Sequence, residues 1–138
     1  MKIINSNIFR VIFYYYYLFQ KKIVRGGPPE IVALRMISAF LVLSISGILM
    51  IISTLIYRYW GGLILVLFIY LYVDHILFKT VYDTGLFKKI IRKKPKILNS
   101  HILSILFVIL FTVSSFLVML GGGYLSKIIE NLGIQLIK

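Results

Sequence analysis

The chain has 138 residues, 60% of them hydrophobic, with a mean hydropathy of +0.97 and a formal charge of +12. It is far more apolar than a soluble domain, and three long apolar runs leave too little chain elsewhere for a second core. Cysteine is absent, which excludes disulfides, thiolate metal sites, a lipobox and a cysteine nucleophile.

In chain order, residues 2–22 read as an amphipathic helix lying in the membrane interface. Lys2, Ser6, Arg10, Tyr14 or Tyr17, and Lys21 recur on one side at helical spacing, and Ile4, Ile8, Val11, Ile12, Tyr15, Leu18 and Phe19 cover the rest. As a fourth span this segment would hold Arg10 in mid-membrane, at a cost of about 3 kcal/mol. It lacks the small-residue cleavage site of a secretory signal. Gly26-Gly27-Pro28-Pro29 is a firm break, and Glu30 then complements the positive end of the next helix.

The first span is expected over 31–57 and the second over 60–81, because about 20 apolar helical residues cross a hydrocarbon core of roughly 30 Å. The short link Arg58-Tyr59 makes them an antiparallel hairpin, with Tyr57, Tyr59 and Trp60 as an aromatic belt at its turn. A basic cytoplasmic loop, 82–100, follows and is broken at Pro95. The third span is expected over 102–120, terminated by Gly121-Gly122-Gly123. An amphipathic C-terminal helix, 124–138, comes last, with Leu125, Ile128, Ile129, Leu132, Leu136 and Ile137 on one stripe. The fold expected is therefore an all-α integral membrane protein of three transmembrane helices, with interfacial helices at both termini.

Charge sets the expected orientation. With the N-terminus inside, only Arg58, Lys127 and Lys138 of the sixteen basic residues lie outside, which leaves thirteen on the cytoplasmic side. This follows the positive-inside rule in short loops and gives an N-in, C-out topology. It also explains the charge without nucleic acid. The usage of Ile, Lys, Tyr and Phe points to an AT-rich bacterial genome, and hence to a bacterial inner membrane.

The candidate intramembrane polar site is Asp74 and His75 with Arg35. Asp74 lies about 21 Å along its helix from Trp60, in the inner half of the membrane, where ionisable residues are costly and mark function by default. Asp83 and His101 lie toward the same side, so a proton relay or a metal site would draw on four titratable groups. The plainer reading is a carboxylate paired with Arg35 or Lys79, or snorkelling to the interface. The basic run Lys88, Lys89, Arg92, Lys93, Lys94 and Lys96 reads as a topogenic anchor on anionic headgroups, and otherwise as a specific lipid or protein site. Ala39, Ser46 and Ser53 recur every seven residues with Gly47 alongside, and Ser115 shares a face of the third span with Gly122. Such small residues let membrane helices approach closely.

Catalytic constellations, metal-binding motifs and cofactor loops are missing from the sequence, and Gly121–Gly123 lacks the residues that complete a phosphate loop. The chain is accordingly expected to be a non-enzymatic accessory, regulatory or immunity-type subunit without a cofactor. Its partners are then the bilayer and another membrane protein or further copies of itself. The alternatives are a homo-oligomeric pore, holin-like in size and span count, and a small dimeric transporter.

Overall fold

The computed structural model describes residues 6–24, 26–56 and 59–133, with 59–61 described by backbone alone. The first residues of the expected N-terminal helix, Arg25, the Tyr57-Arg58 link, the side chains of Tyr59 and Trp60, and residues 134–138 lie outside that description. The described residues form five α-helices in order: α1 Asn7–Phe19, α2 Pro29–Ile56, α3 Tyr59–Leu77, α4 Leu86–Lys93 and α5 His101–Asn131. π-helical segments extend α1 over Gln20–Val24 and α3 over Phe78–Asp83. Among the described residues no strand is present; a lone bridge joins Ile97 and Ser100. Three helices among the described residues are long and apolar enough to cross a membrane: Pro29–Ile56, Gly62–Asp83 and His101–Asn131.

Local chemistry sets the ends. The Ser6 hydroxyl caps α1 by accepting from the Phe9 N–H at 3.2 Å. Pro29 opens α2, where a missing N–H costs nothing, and Glu30 sits in the first turn. The N–H of Lys94, at φ 46, bonds to the Ile90 carbonyl and closes α4 just before Pro95. Ser104 ties the next turn to α5: its hydroxyl donates to the Ser100 carbonyl at 2.7 Å and accepts from the Ile97 N–H at 2.8 Å.

Two features depart from the sequence expectation. The helix of the third span does not stop at Gly121–Gly123 but continues to Asn131, where Gly133, at φ 64, follows it. Glycine weakens helices in water, by about 1 kcal/mol each. In hydrocarbon the backbone has no other hydrogen-bond partner, so an apolar run stays helical through its glycines. The C-terminal segment up to Asn131 is therefore the end of α5 and not a separate helix. Second, α1 is enclosed by protein along residues 11–16, where a helix with one polar side lying in the membrane interface was expected. Phe9, Val11, Ile12, Phe13, Tyr14, Tyr15 and Tyr16 are all buried, and six of them are consecutive, so they wrap the whole helix.

The chain forms two compact units. The first comprises residues 1–38 and 74–111: α1, the beginnings of α2 and α5, the end of α3 and all of α4. Its core holds the α1 cluster with Ala33, Leu34, Ile37, Leu77, Val81 and Ile90. The second comprises 39–73 and 112–138, where α2 buries Val42, Ser46, Met50 and Thr54 and α5 buries Ser115 and Ser126.

Candidate functional site

Asp74 is half-buried on α3, in the first unit, and its Oδ1 lies 2.9 Å from the hydroxyl of Ser38 on α2. Ser38 is fully buried, and its hydroxyl also lies 3.0 Å from the Leu34 carbonyl one turn back. A hydroxyl carries one hydrogen, so Ser38 shares it between these two acceptors. Arg35, one of the two partners expected from the sequence, is exposed, and the carboxylate instead accepts from Ser38, one turn along α2. His75 and Lys79 are exposed.

The other histidine has its own partner. The Tyr15 hydroxyl lies 2.7 Å from Nδ1 of His101, and the two rings meet edge to face at 6.2 Å. This contact joins α1 to the first residue of α5. Among the described residues, no three histidine or carboxylate side chains are placed to hold a metal together. Asp74, Asp83, His75 and His101 thus do not gather into the single cluster that a metal site would need.

The basic residues occupy two settings. Lys88, Lys89, Arg92 and Lys93 lie on α4 and are exposed, as is Lys94 at its cap; Lys96 is half-buried in the turn beyond. Ile90, at 2% exposure, seats α4 in the first unit. An aromatic stack fixes the approach to α4. Phe78 and Tyr82 lie 4.7 Å apart and nearly parallel, and Tyr82 stacks on Phe87 at 5.2 Å. Sequence reasoning missed this stack, although the four-residue spacing of Phe78 and Tyr82 was its signal.

In the second unit the small residues do what small residues do in membranes. A Cβ on Gly122 would overlap the backbone of Gly47, and one on Gly47 would overlap the carbonyl of Val118. The α2 and α5 backbones therefore touch there. The hydroxyls of Ser44 and Ser115 bond to each other at 2.7 Å beside this crossing, and Phe40 meets Phe116 edge to face at 5.6 Å. Ser46 is buried and donates to the Leu43 carbonyl at 2.9 Å, as does Thr54 to Met50. A Cβ on Gly62 of α3 would stand 3.1 Å from Cβ of Ser53. Ala39 and Ser53, two of the three heptad-spaced residues, are half-buried, whereas Ser46 and Gly47 are buried. Sequence reasoning placed Gly122 on the right face without marking it as a contact, and missed Ser38 and Ser44.

No protein-family model, no curated protein and no solved structure matches the chain. What the side chains themselves can do is hold helices together. Ser38, Ser44, Ser46, Thr54 and Ser115 bond to one another, to Asp74 or to their own backbone.

Proposed function

We propose that this chain is a non-enzymatic accessory, regulatory or immunity-type subunit, acting through membrane-embedded helix contacts with another membrane protein. In this reading it sits N-in and C-out in a bacterial inner membrane. α1 lies at the cytoplasmic interface, and the basic segment rests on the anionic leaflet. The orientation follows from the thirteen basic residues that it places inside.

One observation carries the reading. Two pairs of polar side chains on the spans meet inside the chain, while most of the exposed residues on the spans are apolar. Ser38 meets Asp74 and Ser44 meets Ser115, so these hydroxyls are engaged within the chain. A conducting path instead needs polar groups lining water. On α3 the exposed row is Ile64, Phe68, Leu71 and Tyr72, with His75 continuing it. Lipid suits the first four. A partner helix that offers His75 a hydrogen bond suits all five.

The test is the mass of the complex after crosslinking in the native membrane and purification in mild detergent. The proposal expects a second protein at fixed stoichiometry. Monodisperse 16.0 kDa monomer contradicts it, and a pure homo-oligomer transfers the assignment to a pore or dimeric carrier.

A further inference from the structure

We propose that Arg10, Lys89 and Lys93 form a binding site for the phosphate of an anionic phospholipid headgroup. Leu86, Lys89, Ile90 and Lys93 recur at helical spacing on one face of α4, and together with Arg10 of α1 they line a recess in the first unit. The recess gathers three cations and no carboxylate. None of the three side chains makes a hydrogen bond, ion pair or ring contact among the described residues. Like charges held together on two packed helices repel unless an anion lies between them. The charge-assisted bonds of a phosphate to an arginine fork and two ammonium groups answer that need.

The floor of the recess selects the source of the phosphate. Ile90 is 2% exposed and Leu86 is half-buried, so the cations rim an apolar base. Free phosphate has nothing to place there, whereas a phospholipid has its glycerol and first methylenes. The other α4 cations are disposed differently. Lys88 extends over the Phe87 ring at 5.8 Å, and Arg92 does not line the recess. This inference rests on the chain being membrane-embedded and not on its role as a subunit.

The experiment is native mass spectrometry of the full chain in non-ionic detergent, titrated with phosphatidylglycerol, with phosphatidylcholine and inorganic phosphate as comparison arms. The site predicts a one-to-one phosphatidylglycerol adduct that phosphatidylcholine does not reproduce. K89Q/K93Q weakens that adduct about tenfold more than K88Q/R92Q, which removes the same charge, because only the first pair bonds the phosphate. R10Q weakens it as well, and K89R/K93R retains it, which separates loss of charge from loss of fold. A delocalised anchor would instead lose about fivefold per charge wherever the charge is removed. Equal weakening by the two double variants therefore overturns the site. Displacement of the lipid by equimolar inorganic phosphate overturns the lipid assignment.

Discussion

A methyl group at Gly122 would occupy the space of the Gly47 backbone, while one at Gly121 would meet nothing within 4 Å. These neighbours therefore respond differently to the same substitution. Gly122→Ala forces α2 and α5 apart and should cost about 1–3 kcal/mol, as overpacking does. Gly121→Ala should leave stability nearly unchanged, since the added methyl group has open space. Thermal unfolding of both variants in detergent measures the difference, and equal midpoints would refute the crossing. Asp74 makes a second residue-scale case. Asp74→Asn retains an acceptor oxygen for Ser38 and should leave stability unchanged, whereas Ser38→Ala should lose about 0.6 kcal/mol, the average for an intramembrane hydrogen bond. Denaturation in detergent distinguishes them. The face carrying Ser115 and Gly122 was readable from their seven-residue spacing. The Asp74–Ser38 contact was not, because it depends on the relative depth of two helices, which counting from an interfacial tryptophan leaves uncertain by a turn.

At the scale of the element, α1 shows what amphipathic periodicity omits. A stripe of Lys2, Ser6, Arg10 and Lys21 describes the helix by its own residues, and nothing in that pattern says what covers the remaining sides. In the structure the rest of the first unit encloses Val11 to Tyr16. Amide exchange should accordingly be slow over 9–16 and fast over 21–24, where Lys21, Lys22, Ile23 and Val24 are exposed. Uniform fast exchange along α1 would contradict this packing. Burial also raises the Tyr14 phenol above its ordinary value of about 10, helped by the nearby Tyr15 and Tyr17. The folded state thus favours the neutral phenol. Its contribution to stability is fully present below about pH 10 and is lost as pH rises through the raised folded value. Tyr14→Phe should lessen the alkaline loss, read as the thermal midpoint against pH. The long α5 carries the complementary lesson. Helix propensities measured in water gave glycine a stopping power that it lacks where the backbone cannot bond to solvent.

For the whole molecule, hydropathy alone made the three spans and the all-helical class legible, because about 20 apolar residues in a row have few other fates. The start of the first span came within a few residues where Pro29 marked it, whereas α4, which ends just before Pro95, lies in a segment expected as a loop. The spacing of Phe78 and Tyr82 signalled half of the aromatic stack, but its closure on Phe87 and the convergence of Arg10 on Lys89 and Lys93 were not legible, since they join residues whose approach is set by tertiary packing. The orientation proposed above puts the loop between α3 and α4 inside and the end of α5 outside. The chain has no cysteine, so single cysteines at the exposed residues Thr84 and Asn131 report it without altering charge. In intact cells a membrane-impermeant maleimide should label Asn131→Cys and spare Thr84→Cys until the membrane is opened. Labelling of Thr84→Cys from outside, or the same accessibility at both positions, would contradict it.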